Sequence, residues 1–210
     1  MTQRPTGCSE ADCDTVAFTV AALAANPADE DLVKLSHRVA PLVTEWDALH
    51  ADRRRLERAV IAASAQVRVA DATLDLAIET FAADLLEATG GDHDSGLYKR
   101  FFTEHHEDII AMGLDSEVPV VTLLVAALDA TDDLPPKLKA HAAPLRAGLQ
   151  LGNSALVSRA DALGELGRHV ARELAWGEAA ESSLVSVHRA LERLADTRDL
   201  SPSWADAFFE

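Results

Sequence analysis

The sequence predicts an all-α fold: a long antiparallel helical hairpin with coiled-coil-like heptads, on which shorter helices pack to make an elongated bundle. Three observations carry this. Core-type positions alternate three and four residues apart over Leu32, Leu35, Val39, Leu42, Trp46, Leu49, Arg53, Leu56, Val60, Ala63, Val67, Ala70, Leu74, Ala77, Phe81 and Asp84, failing only at Arg53 and at the end. No glycine or proline stands between Pro41 and Gly90. A second seam of nearly equal length runs through Ala142, Leu145, Leu149, Gly152, Leu156, Arg159, Leu163, Leu166, Val170, Glu173, Gly177, Ala180, Leu184, Val187, Leu191 and Leu194. Sustained seven-residue repeats mark helices packed side by side at a shallow left-handed crossing. Two such seams joined by a shorter helical insert pair antiparallel.

In chain order, residues 1–14 read as a flexible polar tail, followed by a single helical domain over 15–198. A short amphipathic helix around 15–25 ends at Asn26 and Pro27. Its apolar run from Val16 to Ala25 follows Glu10, Asp12 and Asp14 with only Arg4 for positive charge, the reverse of a secretory leader's basic start. Cys8 and Cys13 enclose too short a loop for a disulfide to add much, and lack histidines at zinc spacing. They are expected reduced and exposed, in a cytoplasmic protein.

Asp29 can cap the first long helix, about 29–89, in which Pro41 should produce a kink because the heptad continues in phase across it. Gly90 and Gly91 supply the left-handed residues that end it. The insert, about 97–131, opens with the aromatic-rich Leu97–Phe102 stretch in a chain only 5% aromatic. Thr103 reads as the cap of a two-turn helix ending at Gly113, and Asp115 or Ser116 as the cap of the next. That next helix, apolar on nearly every face from Val118 to Leu128, should be buried all round. The second long helix, about 135–197, kinks or restarts at Pro144. Residues 199–210 form a tail in which Trp204, Phe208 and Phe209 follow the helix-breaking Pro202.

The seam failures supply a register. With Leu32 opposite Leu194, Arg53 falls opposite Glu173, and an Arg–Glu pair at facing core positions would resolve both breaks. The second long helix also carries Gly148, Gly152, Gly164, Gly167 and Gly177. Each costs about 1 kcal/mol against alanine, so a close neighbour is expected. Ala160, Gly164, Gly167 and Ala171 share one face, on which the helix around 118–130 or a second copy of the chain could lie.

Charge narrows the function. With 35 acidic and 19 basic residues the net charge is −16, which repels phosphate backbones and anionic lipid at long range. The cluster Arg53, Arg54, Arg55 and Arg58 reads as a solvated face compensated by Asp52 and Glu57, so direct nucleic-acid binding is not expected. No apolar run approaches the ~20 residues needed to span a bilayer, so no membrane partner is expected.

Chemistry is concentrated in one segment. His93, Glu104, His105 and His106, with Asp92, Asp94 and Asp108 nearby, are the candidate ligands for a divalent metal. Adjacent histidines on a regular helix point about 100° apart and cannot both face one ion. The calcium-loop echo of Asp92, Asp94 and Gly96 lacks its distal glutamate. The carboxylate di-metal pattern appears only as Asp47-x-x-His50, without a second copy. His37, His141, His169 and His188 read as surface or boundary residues. Nucleophile elbows, phosphate loops and dinucleotide fingerprints are absent.

The expected function is therefore structural: an acidic helical scaffold or adaptor that engages a protein partner or itself. Its expected contacts are the Gly164 and Gly167 face, the helical seam, and the anchors Trp204, Phe208 and Phe209, and it needs no cofactor. The alternative is a metal-dependent or small-molecule-binding bundle with its site at 92–108. A third reading is an acidic mimic that competes for a nucleic-acid-binding protein.

Overall fold

A computed structural model describes residues 10–209, apart from the side chains of Glu10 and Pro202. The fold is all-α. The described residues form α1 (Glu10–Ala24), α2 (Glu30–Ala88), α3 (Gly96–Phe101), α4 (His106–Ile110), α5 (Leu114–Ala130), α6 (Pro136–Lys139) and α7 (Ala142–Thr197), with a closing 3-10 helix at Pro202–Phe208. The part of the predicted tail that is described, residues 10–14, is the first turn of α1; Cys8 and the rest of that tail lie outside the described residues. Pro144 is the third residue of α7, where a missing N–H costs no helical hydrogen bond. Contacts within the chain cluster in two compact units. The terminal unit comprises the described residues up to Glu57 and from Gly164 onward; the central unit is Arg58–Leu163.

In the terminal unit, α1 and the closing 3-10 helix pack against the first part of α2 and the last part of α7. Seam residues Leu32, Leu35, Val39, Leu42, Trp46 and Leu49 are buried with Val16, Leu23, Trp176, Val187 and Leu191. Pairings descend along α7 as they climb α2, so the helices are antiparallel here. Arg198 bridges Asp29 and Asp31 at one end, and Arg38 donates to the Ser186 hydroxyl at 3.1 Å. The Trp46 and Trp176 rings meet at 4.6 Å, with the Trp176 indole N–H donating to the Leu42 carbonyl at 2.9 Å. Asp29 accepts from the backbone N–H groups of Asp31 and Leu32 at 3.1 and 3.4 Å, the helix cap its position predicts. The Arg198 guanidinium, foremost, holds the Asp29 carboxyl down at about 2. Cys13 is buried rather than exposed, because the helix begins early enough to turn it toward this core; burial pushes its thiol pKa up.

In the central unit, the core gathers Leu74, Ile78, Phe81, Leu85, Tyr98, Phe102, Val121, Leu138 and Leu145 from five helices. Phe81 sits among the rings of Phe101, Phe102 and His141, at 5.4, 5.7 and 5.6 Å. The seam break at Asp84 is resolved by His141 Nε2 at 2.8 Å and Lys137 Nζ at 3.0 Å. The close-approach glycines are not those expected to receive the helix of the insert. An ideal Cβ on Gly148 would lie 2.8 Å from Leu74 Cδ1 and 3.4 Å from its Cα, and one on Gly152 would lie 3.1 Å from Leu114 Cδ1. At Gly167 nothing lies within 4 Å, and at Gly164 only the Arg168 guanidinium does. Helix α5 starts at Leu114 with Gly113 (φ 75°) as its cap, two residues ahead of Asp115 and three ahead of Ser116, the predicted caps. Nor is it buried all round. Val118, Val121, Val125 and Leu128 face the core while Leu123 is 73% exposed, because its neighbours cover only one side.

Candidate functional site

Among the described residues two carboxylate side chains are buried to 2% exposure or less, and their surroundings differ. Glu173, on α7 in the terminal unit, is fully partnered. Arg53 Nη1 donates to its Oε2 at 2.7 Å, the pairing of seam positions that the heptad register predicts, and His169 Nε2 lies 3.2 Å from its Oε1. His169, read from sequence as a surface or boundary residue, is wholly buried one turn before Glu173. Its Nδ1 accepts from Arg172 Nη2 at 3.1 Å, and arginine has only donors. The ring proton therefore sits on Nε2, donating to Glu173. Arg53 also holds Glu57 at 3.1 Å. The network is closed, which is the requirement for a charge to survive in a core.

Glu117, on α5 in the central unit, is the opposite case. It is 0% exposed, and neither carboxylate oxygen has a hydrogen-bond partner of fitting geometry. Facing it are two half-buried acids one turn apart on α2, Asp71 and Asp75, each with a buried and unpartnered Oδ1. One oxygen from each of the three lies within 4.8 Å of the others. Among the described residues no lysine or arginine pairs with any of them. Burial first, then the neighbouring Asp75 and Asp71 charges, push the Glu117 carboxyl up to about 8, and burial raises Asp75 as well. The arrangement can hold a proton between carboxyl groups or a cation among them. Sequence reasoning missed it. A signal existed in the Asp71–Asp75 pair, since like charges four apart weaken a helix by a few tenths of a kcal/mol. That Glu117 covers this pair depends on where α5 lands.

The same stretch of α2 has an unpaired face. Ile61, Ala65, Val69, Ala72 and Leu76 fall within an arc of about 80° at 100° per residue, opposite the buried Ala63, Val67, Ala70 and Leu74. Ile61, Val69 and Leu76 are 68, 63 and 63% exposed. Arg58 and Glu79, both exposed, end the stripe on the same arc.

The predicted His/carboxylate segment is drawn together without forming a ligand set. The ring of His93 lies 5.1 Å from His105 and 6.5 Å from His106, and Tyr98 Oη is 3.2 Å from His106 Nδ1. The Nδ1 of His106 is also 3.1 Å from Glu107, while Glu104 is exposed. Among the described residues, His93, Glu104, His105 and His106 do not bring three ligand atoms within 4.8 Å, because the chain turns from extended at His105 into α4 and fans them apart. Of the basic cluster, Arg53 and Arg55 are paired, with Glu173 and Asp52, and Arg54 and Arg58 are exposed. Gly164 and Gly167 are exposed. Phe208 is buried, and Trp204 and Phe209 pack on the terminal unit's own core, with His188 bonded to Asp206 at 3.0 Å. A cleft of about 520 Å³ in the same unit sets Arg38, Arg189 and Arg193 against Glu178 and Glu181, so its charges nearly cancel.

No family model, no curated protein and no solved structure matches this chain. Among the described residues no helix is long and apolar enough to cross a membrane.

Proposed function

We propose that the protein is an acidic cytoplasmic scaffold that self-associates through the outer face of α2. The observation that carries this is the order of residues along the exposed stripe. Read from either end it runs large, small, large, small, large: Ile61, Ala65, Val69, Ala72, Leu76. Its ends are Arg58 and Glu79. A two-fold axis beside Val69 would set Ile61 against Leu76 of a second copy, Ala65 against Ala72, and Arg58 against Glu79. A surface that complements itself in shape and charge is what a two-fold interface requires, and an apolar stripe left in water is otherwise a liability.

The Gly164 and Gly167 face is exposed too, with Val157, Leu163 and Leu174 at its edges 60, 50 and 47% exposed, and the aromatic tail is engaged by its own unit; the self-complementary order of the α2 stripe favours α2 as the contact. The segment from Arg58 to Glu79 is about 33 Å long at 1.5 Å per residue. One helix face of that length buries less than the ~800 Å² per partner of a standard interface, so the dimer belongs to the micromolar class, about 1–100 µM. Sedimentation equilibrium across that range tests it. Val69→Glu should give monomer at all concentrations, Arg58→Glu should weaken the dimer at least ~10-fold, and Arg58→Glu with Glu79→Arg should restore it. A wild-type chain that stays monomeric at about 200 µM, or a charge reversal without rescue, refutes the reading.

A further inference from the structure

The unpartnered acids of the central unit carry an inference independent of self-association. We propose that Asp71, Asp75 and Glu117 form a binding site for one hard divalent cation, of the magnesium, manganese or calcium class.

Among the described residues two glutamates are buried almost completely, and for one, Glu173, the chain supplies a guanidinium and an imidazole N–H, leaving no oxygen idle. For the other it supplies two further carboxylates. Four buried oxygens are thereby left without a well-formed hydrogen bond: Asp71 Oδ1, Asp75 Oδ1, Glu117 Oε1 and Glu117 Oε2. A single proton shared between Glu117 and Asp75 makes one hydrogen bond and so satisfies two of the four. It also leaves two negative charges in the site. A divalent ion takes an oxygen from each side chain, cancels two of the three charges, and completes its shell with water. Buried carboxylates are stable when paired or when they coordinate a metal.

Geometry and donor type agree with this. Oxygens bound to one ion at about 2.0–2.6 Å lie up to roughly 4–5 Å apart, and the three ligand atoms fall within 4.8 Å of one another. An oxygen-only donor set selects hard cations over zinc or copper, which seek nitrogen and sulfur. Access is present as well, since Asp71 and Asp75 are only half-buried while Glu117 closes the inner side. The two α2 acids stand one helical turn apart, and α5 brings the third ligand across to them. An occupied site would therefore tie these two helices together.

Manganese is the probe. Full-length protein, stripped with chelator and returned to about 0.15 M salt to screen diffuse binding to the acidic surface, is titrated with Mn²⁺ while the free ion is followed by electron paramagnetic resonance. The expected result is one Mn²⁺ per chain with a dissociation constant on the order of 10 µM, and competition by Mg²⁺ or Ca²⁺. Glu117→Gln, which preserves shape, and Asp71→Asn, at a half-exposed position that should not impair folding, should each weaken binding at least ~10-fold. Melting temperature should rise with Mn²⁺ in the wild type and stay fixed in both variants. No bound Mn²⁺ at about 1 mM metal overturns the proposal. So does binding that both variants retain, which would place it elsewhere on the acidic surface. So does a Glu117 carboxyl that carbon NMR finds protonated near neutral pH and unmoved by Mg²⁺, the diamagnetic competitor, which would make the cluster a proton-sharing one.

Discussion

Removing Arg53 tests how the terminal unit tolerates a buried acid. Glu173 is 2% exposed, and among the described residues Arg53 is the sole hydrogen-bonding partner of its Oε2, at 2.7 Å. Arg53→Met keeps the apolar stem of the side chain but removes the guanidinium and its charge. Breaking a buried pair from one side costs about 3–5 kcal/mol, because the remaining charge is stranded. Here the Arg53 side chain is 27% exposed and His169 still donates to Oε1, so the low end, about 3 kcal/mol, is expected. For a chain of this length that is a fall of roughly 6–12 °C in melting temperature. Arg54→Met, next door but exposed, should move stability by no more than about 0.5 kcal/mol. Adding Glu173→Leu to Arg53→Met should recover most of the loss, since an apolar replacement of a whole buried pair is often neutral. The reversed pair, Arg53→Glu with Glu173→Arg, should recover only part. His169 would have to surrender its Nε2 proton to accept from a guanidinium, and its Nδ1 is already committed as an acceptor from Arg172. The assay is thermal and urea denaturation by circular dichroism across the cycle. If Arg53→Met costs less than about 0.5 kcal/mol, the claim that Glu173 depends on Arg53 is wrong.

The central unit should be alkali-sensitive when stripped of metal. Glu117 has its carboxyl raised from 4.5 to about 8, so between those values the folded state holds more protons than the unfolded state. Its contribution is fully present below pH 4.5 and is lost as pH rises through 8, on the order of 2–5 kcal/mol in all; Glu117→Gln should flatten that slope in urea melts. Two glycines of α7 should respond in opposite directions. Gly167→Ala meets open space and should stabilise by about 0.5–1 kcal/mol, whereas Gly148→Ala drives a methyl against Leu74 and should cost about 1–3 kcal/mol, both read by denaturation. Phe208→Ala should cost about 3 kcal/mol and expose α1 to proteolysis, because the closing 3-10 helix covers it; unchanged cleavage would mean the tail is not docked.

Seam periodicity is a property of one strand of sequence, and it was enough for the all-α class and the two long helices. Arg53 and Glu173 were legible as a pair for the same reason. Arg53 interrupts the first seam and Glu173 the second, and the antiparallel register chosen to match those breaks sets them face to face. His169 was not legible: whether a helical histidine one turn from a glutamate is buried depends on the neighbour, and here α2 covers both. Around His93, His105 and His106 residue type alone could not set ligand geometry: the His93 and His105 rings come within 5.1 Å, yet among the described residues no three ligand atoms of the segment converge.

What the sequence determined alone were therefore the features encoded by helical period: element type, seam, and the pairing of polar residues that share it. Only the tertiary structure decided which polar faces are covered. Asp71 and Asp75 read like any solvated pair on a helix flank until α5, crossing at Gly152, lowers Glu117 onto them. Ile61, Val69 and Leu76 read as ordinary helix residues until the neighbours are assigned and, among the described residues, none covers that face. Period is local and survives in a single chain; burial is a relation between elements far apart in sequence, and it exists only once they pack.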